Sequence, residues 1–340
     1  MSSPSTGLQL HVMPDERDAF FLQSLASAKR SIKLQVYILT HAGVIDALIA
    51  AHQRGVEVKV LLEEKPYNPG NPGAPLPTNR AAAKRLTDAG VACRWTNPRF
   101  RYTHAKVVTL DETVSFVSTA NFTKSGLNAE GKGAREYILE DRSPSDVAAI
   151  AALFEADWER RAYTPTDPDL VLSPDNSRTK LFELIRSARR EVFLQVEVAG
   201  DPELDSVLAA KVKEGVKVRA LLADLRRLAP SQDPVYRSNL DVARAWRAAG
   251  VEVLFQRKPH LHAKAIQVDG GTFYTGSVNF TSNSMNNNRE LGVLVQAPEL
   301  ASALARALEQ DFKGAEPLPA TSEAPLAPAL LAPLWPGLPL

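Results

Sequence analysis

Two pairs spaced as His-x-Lys stand out as residues able to do chemistry: His104 and Lys106 in "YTHAKVVTLDETVSFVSTANF", and His262 and Lys264 in "LHAKAIQVDGGTFYTGSVNF". An imidazole can act as a nucleophile or move a proton near neutral pH, and an ammonium is a compact charge for an anionic oxygen. Alternate side chains of a strand share a face, so each pair points one way while Ala105, Val107, Ala263 and Ala265 face a core. Each pair is followed at matching distance by Asp111 or Asp269, then by "STAN" (118–121) or "GSVN" (276–279), then by Glu136 or Glu290. A lone His-x-Lys carries little information, but six matched positions occurring twice require a common cause.

That cause is a duplication. "MPDERDAFFLQSLASAKRSIKLQVYIL" from Met13 aligns with "SPDNSRTKLFELIRSARREVFLQVEVA" from Ser173, so that Ser27 and Ser187 stand 160 positions apart. "RGVEVKVLLEE" and "EGVKVRALLAD" keep that offset, as do "AGVACRW" and "AGVEVLF". Within a copy, helical and strand periods alternate. "AFFLQSLASAKR" reads as a helix, "SIKLQVYIL" as a strand with Ile32, Leu34, Val36 and Ile38 on one face, and "GVIDALIAAHQRG" as a helix ending at Gly55. "VEVKVLL" is a further strand, and "NRAAAKRLTDAG" a helix closed by Gly90, where a left-handed cap suits glycine. This alternation predicts an α/β sandwich in each copy. The Pro-rich segments 63–79 and 226–239 occupy equivalent slots and are expected to be irregular loops, candidates for the rim of a site. The reading gives a first domain over 1–163, a second over 164–313, and a Pro/Ala/Leu-rich tail over 314–340 that sustains neither helix nor sheet.

Composition bounds the alternatives. Of 340 residues 44% are hydrophobic, enough for real cores, and a net charge of +1 leaves any anionic partner to local patches rather than a global field. One cysteine, Cys93, excludes an internal disulfide or a multi-cysteine metal centre, and a buried, inert thiol is its expected state. Neither a signal pattern nor a long apolar run is present, so the expectation is a cytoplasmic monomer without a membrane span, with peripheral membrane contact open to it. His11, His41 and His52 form no ligand spacing, although His41, at the end of a predicted strand, is a candidate for the mouth of the site.

The repeated H-x-K-x4-D-x6-G-S-x-N pattern resembles the paired motifs of the phospholipase D superfamily over residues 8–313. The second copy fits throughout; the first has Ser118 and Thr119 where the family favours Gly-Ser. The resemblance implies two similar α/β sandwich domains related by a pseudo-twofold axis, with one active site between them. In-line displacement at phosphorus separates the nucleophile from the proton donor at the leaving oxygen, which is why two histidines are needed. The resemblance makes His104 the nucleophile and His262 the acid/base, with a covalent phosphohistidine between the two half-reactions. It places Lys106, Lys264, Asn121, Asn279, Ser277 and Thr119 around the non-bridging oxygens, and Glu136 and Glu290 against the far ring nitrogens. Asp111 and Asp269 are expected to be structural, bonding backbone amides at a strand end. Because lysines supply the positive charge, no metal and no other cofactor is expected.

Substrate class is the open point. "RWTNPRFRYTH" interleaves Arg94, Arg99 and Arg101 with Trp95, Phe100 and Tyr102, and "FQRKPH" adds Arg257 and Lys258, so that Arg101, Tyr102 and Lys258 are candidate substrate contacts for a nucleic acid or any other anion. The "NFT" after both motifs is similar to the nuclease-type members and lacks the N-x-D-x-R-S pattern of cardiolipin synthases, which weighs against a synthase. Tandem chains of this size resemble the phospholipases. The expectation is a phosphodiesterase acting on a phospholipid by hydrolysis or transphosphatidylation, with a metal-independent nuclease as the alternative and a non-catalytic nucleic-acid or membrane binding module as the third reading.

Overall fold

The computed structural model describes residues 7–67, 78–225 and 234–317. The first copy runs β1 (Leu8–Met13), α1 (Ala19–Ser27), β2 (Ser31–Val36), α2 (Ala42–Gln53), β3 (Glu57–Leu62), α3 (Thr78–Asp88), β4 (Ala92–Trp95), β5 (Lys106–Leu110), β6 (Val114–Ser118), β7 (Glu136–Asp141) and α4 (Pro144–Trp158). The second runs β8 (Leu170–Ser173), α5 (Ser177–Arg186), β9 (Glu191–Val196), β10 (Ala199–Gly200), α6 (Pro202–Lys213), β11 (Lys217–Ala223), α7 (Pro234–Ala248), β12 (Glu252–Gln256), β13 (Lys264–Val268), β14 (Thr272–Gly276), β15 (Phe280–Thr281), α8 (Ser282–Asn286), β16 (Glu290–Val295) and α9 (Pro298–Gly314). The sheet of the first copy has the order β1-β7-β6-β5-β2-β3-β4, and that of the second reads β8-β16-β14-β13-β9-β11-β12, the same topology repeated. Strands joined through helices pair in parallel (β2 with β3, β9 with β11), while the motif hairpins β5–β6 and β13–β14 are antiparallel.

Period two decides which face of each sheet meets what. Ile32, Leu34 and Val36 of β2 join Phe21, Val44, Leu48 and Leu86 of α1–α3 in one core, and Val192, Leu194 and Val196 of β9 join the equivalent residues of α5–α7 in another. The opposite faces of the two sheets share a single apolar cluster with α4 and α9, in which Ala105, Val107 and Tyr137 meet Ala263, Ala265 and Leu291. The small and branched residues behind each His-x-Lys pair therefore form the seam between the copies. Both central strands carry polar residues on this seam. Gln35 donates to Asp157 of α4 (3.0 Å), and Gln195 to Asp311 of α9 (2.7 Å).

Two buried arginines bind the copies together. Arg135, ahead of β7, makes a bidentate pair with Asp311 (2.7 and 2.9 Å) and donates to the Met13 carbonyl. Arg289, ahead of β16, is fully buried and reaches Asp157 (3.2 Å) and Asp175 (2.6 Å). Asp311 lies on α9 and Asp157 on α4, each in the copy opposite its arginine, so ion pairs stitch the repeat across the seam, while Asp175 holds Arg289 from within its own copy.

Local departures from the sequence reading have simple causes. Gly90 takes the left-handed conformation expected of it (φ +86°). The segment 226–239, expected as loop throughout, enters α7 at Pro234, because proline at the first helical position needs no N–H partner; residues 68–77 and 226–233 of the two expected loops lie outside the described residues. The motif strands begin at Lys106 and Lys264, so His104 and His262 precede them rather than belong to them. The 314–340 segment starts where α9 ends, and Glu316 pairs with Phe255 at the edge of β12; residues 318–340 of the expected tail lie outside the described residues. Cys93 is half-buried on β4, where burial pushes its thiol up to about 11.

Removing one partner of a buried ion pair leaves the other charge without compensation. Arg135→Ala should therefore cost about 3–5 kcal/mol of stability, read as a lowered midpoint in denaturant or thermal unfolding; a change below about 1 kcal/mol would contradict the role given to this pair.

Candidate active site

Each histidine is held by the other copy. The Arg289 carbonyl accepts from the backbone N–H of His104 (2.8 Å) and of Ala105 (3.0 Å), and the Arg135 carbonyl accepts from that of His262 (3.2 Å). Arg-Glu occurs at 135–136 and again at 289–290. Docking the arginine backbone of one copy beside the histidine of the other carries the following glutamate along with it.

The carboxylates are consequently crossed. His104 Nδ1 bonds Glu290 (2.9 Å) and also faces the Ser277 carbonyl (3.2 Å), whereas His262 Nδ1 lies 2.6 Å from Glu136. A carbonyl only accepts, so the proton of His104 sits on Nδ1 and its Nε2 keeps a lone pair. That Nε2 is buried with no hydrogen-bond partner. Lys106 and Lys264, fully buried, each donate to the carbonyl of the histidine two residues back. The Asn279 side chain and the Asn121 oxygen are buried and unpartnered, which leaves both amides free for a ligand.

A third carboxylate enters from outside the motifs. Glu197, directly after β9, accepts from Lys264 Nζ (3.0 Å) and lies 3.4 Å from His262 Nε2. At the offset of 160 its counterpart is Tyr37, whose ring stands edge-on to His104 (4.8 Å between centroids) under Lys106 Nζ (5.3 Å). Asn79 and Asn239, early in α3 and α7, fix the backbone of Tyr37 and Glu197 by donating to their carbonyls (2.7 Å each). The pseudo-symmetry that unites the backbones thus breaks between the side chains of Tyr37 and Glu197.

Burial drives the titration behaviour of the cluster. It lowers the His104 pKa, opposed by the Glu290 carboxylate and assisted by Lys106. Burial also lowers Lys106 well below the usual ammonium value, with Glu290 opposing. Glu290 ends below its ordinary value because His104, Lys106 and Ser277 outweigh its burial, while burial raises Glu136 to about 7 against the pull of Lys264 and Thr119. His262 is lowered by burial, against Glu197. Burial thus disfavours the charged form of both Glu136 and His262, which lie against each other.

With this geometry in place, the comparisons are informative. The family model described as "Cardiolipin synthase, PLD-like domain" matches residues 21–158 and again 181–312, one match in each copy. The chain belongs to the phospholipase D-like family. It is thereby an enzyme of phospholipase D-type phosphodiester chemistry. Cardiolipin synthase A of Erwinia tasmaniensis is 24% identical over 90% of this chain and 68% of its own length, and cardiolipin synthase B of Salmonella typhimurium is 23% identical over 85% and 76%. The fold is shared with phosphatidylserine synthase of Haemophilus influenzae (TM-score 0.68, 12% identity, 90% of this chain and 86% of that one). It is also shared with polyphosphate kinase of Porphyromonas gingivalis (TM-score 0.67, 18% identity, 90% of this chain), of which it spans about half (47%).

Within this phospholipase D-like frame, six residues named from the motifs fall into the one cluster, both histidines, both lysines and both glutamates, while Asn121 and Asn279 keep buried side-chain atoms without a partner. Thr119 and Ser277 do not face it as expected. Their hydroxyls donate to Glu136 and Glu290 (2.5 and 2.6 Å) and accept from the N–H of Tyr137 and Leu291, so they hold the carboxylates rather than non-bridging oxygens. Ser118 is accommodated because its hydroxyl bonds Ala120 N–H, whereas a Cβ at Gly276 would meet Gly292 Cα at 2.3 Å. Asp111 accepts from the amides of residues 29–31, and Asp269 from those of 189–191, each from a left-handed backbone (φ 53°).

Arg101 and Lys258 are exposed on the approaches to the histidines, and none of the contacts described within the cluster involves them; Tyr102 is one ring removed, edge-on to Tyr37. His41 lines no site mouth. It caps α2, accepting from Val44 N–H, with Asp18 at its other nitrogen. Among the described residues, carboxylates close enough to share a metal ion occur at Asp146, Asp167 and Asp169, near the connection between the copies. No helix among the described residues is long and apolar enough to cross a membrane. Sequence reasoning missed Glu197, Asn79, Asn239 and both arginines, although the duplication displayed Tyr37 against Glu197 directly after the matched Leu-Gln-Val of the two strands.

A histidine that attacks phosphorus must be neutral, so if His104 has that role, its pKa being lowered from an ordinary 6.5, the acidic limb of kcat/KM should have its midpoint below about 6.5. Glu290→Gln removes the carboxylate that opposes this lowering. The limb should then move to still lower pH while kcat falls by about 10²-fold or more, as when a carboxylate orienting a catalytic histidine is neutralised. A limb that stays in place in the Gln variant would show that Glu290 does not act on the titrating ring.

Proposed function

We propose that this enzyme cleaves phospholipid phosphodiesters by a two-step displacement through a phosphohistidine at His104, with water as the acceptor. The observation that carries the reading is the pairing of unlike ring nitrogens in one buried cluster: His104 presents an unpartnered lone pair at Nε2, and His262 lies against Glu136 through Nδ1 (2.6 Å) with Glu197 beyond its Nε2 (3.4 Å). In the first step His104 Nε2 bonds to phosphorus as the bond to the leaving alcohol breaks, and His262 gives its Nε2 proton to that oxygen. In the second, His262 takes a proton from water whose oxygen displaces His104, yielding a phosphatidic acid and restoring both rings. Lys106, Lys264, Asn121 and Asn279 meet the charge that gathers on the non-bridging oxygens.

Similarity to cardiolipin synthases over most of the chain supports a phospholipid substrate. The absence of the synthase N-x-D-x-R-S pattern after either motif supports water over an alcohol. The basic and aromatic run before His104 lends little to nucleic-acid stacking. Phe100 already carries the guanidinium groups of Arg99 (4.4 Å) and Arg289 (4.2 Å), and Arg94 lies on Trp158 (4.3 Å).

The test offers the purified protein phosphatidylcholine, phosphatidylglycerol, and single- and double-stranded DNA, each with and without EDTA. Release of phosphatidic acid, undiminished by EDTA and reduced at least about 10³-fold in His104→Ala and in His262→Ala, is the expected result. Cardiolipin formed from phosphatidylglycerol would make the acceptor an alcohol. DNA cleavage without lipid turnover would move the substrate to nucleic acid, and full activity in either alanine variant would end the two-histidine site.

A further inference from the structure

Glu197 is the one fully buried carboxylate of the cluster that no motif contains and that the displacement steps leave unused. Its position in the other copy is a tyrosine, so it is the feature by which two nearly equivalent half-sites become inequivalent. We infer that Glu197 is a positioning residue that holds the proton of His262 on Nε2 and thereby fixes which half-site donates the proton and which attacks phosphorus. This inference rests on the functional reading above and supplies it with a polarity.

Burial raises the Glu197 carboxyl, but His262, Lys264 and His260 outweigh it, so the group stays ionised and can only accept. Its Oε2 lies 3.4 Å from His262 Nε2 and 3.0 Å from Lys264 Nζ. A nitrogen facing an acceptor-only group is favoured with its proton on, whereas His104 Nε2 faces no acceptor and its other nitrogen is already the donor. The two reacting nitrogens are thus prepared in opposite states before substrate arrives. Lys264 is tied to Glu197 in the same contact, while Lys106 has the Tyr37 ring in that place and remains available to a non-bridging oxygen. The charged and titratable groups around His262 are Glu136 from β7, Glu197 from the end of β9, Lys264 from β13, Lys106 from β5 and His260 from the approach loop. Of these, Glu197 is the only anion at Nε2.

The experiment has an arm that needs no turnover. In protein labelled with ¹⁵N-histidine, and with rings assigned through single His→Ala variants, long-range ¹H–¹⁵N spectra report the tautomer of each ring. Wild type should show the proton of His104 on Nδ1 and a proton on His262 Nε2, and Glu197→Gln, nearly isosteric, should lower the occupancy of the His262 Nε2 proton. In the kinetic arm, Glu197→Gln should lose about 10-fold or more on phosphodiesters with an alkoxide leaving group, and less than about 3-fold when p-nitrophenolate leaves, since that group needs little protonation. The basic limb of its pH profile should move to lower pH, because the carboxylate that favours the charged ring is gone. A lone pair on His262 Nε2 in wild type, or equal losses on both leaving groups with an unmoved basic limb, would overturn the inference. Wild-type protein inactive on every phosphodiester would instead overturn the functional reading, and the tautomer measurement would still decide the role of Glu197.

Discussion

The site depends on an exchange across the seam between the copies, in which the Arg-Glu step that opens β7 or β16 docks beside the histidine of the opposite copy. The arginine carbonyl takes the histidine backbone N–H, the arginine side chain is anchored by a buried aspartate, and the glutamate that follows reaches the far nitrogen of the ring. Neither half supplies the carboxylate at the Nδ1 of its own histidine. The histidine–lysine–glutamate cluster therefore exists only when both copies are folded and packed, and the apolar cluster shared by the two sheets drives that packing.

Such a site concentrates charge where water is excluded. Two lysines and up to two imidazolium rings face three carboxylates, Glu136, Glu197 and Glu290, all buried. Near balance limits the desolvation cost: Glu290 pairs with His104, Glu136 lies against His262 and Glu197 pairs with Lys264, while Lys106 donates to the His104 carbonyl. The carboxylates are not equally held. Glu290 takes bonds from Ser277, Ser284 and Asn288, and Glu136 from Thr119 alone. His104 lies against the carboxylate with the larger set of donors, and His262 against the one with the smaller. Duplication supplied two similar halves; inequality in their second layer of contacts gives them different acid–base character.

Much of the architecture was legible because duplication doubles every signal. Helix and strand periods appeared twice at one offset, Gly90 marked a helix end, and Ala105, Val107, Ala263 and Ala265 read correctly as the face turned to a core. The segment that became the first turns of α7 read as loop, since Pro234 in a Pro-rich stretch resembles a breaker until the helix it starts is seen. Thr119 and Ser277 were read as phosphate donors because hydroxyls suit that task, and nothing in spacing tells that the nearest acceptor is a glutamate seventeen or thirteen residues on.

The sequence by itself determined the pair of half-sites, the residue types that do the chemistry and the α/β order of elements, since these follow from local periodicity and from motifs written out along the chain. Tertiary structure decided which glutamate serves which histidine, that buried arginines lock the seam, and that Glu197 and Tyr37 stand at equivalent places with unlike chemistry. The reason is physical: hydrogen bonds and ion pairs between residues 120–190 positions apart depend on how two sheets meet face to face, and that meeting is set by shape and burial, which no spacing along the chain encodes.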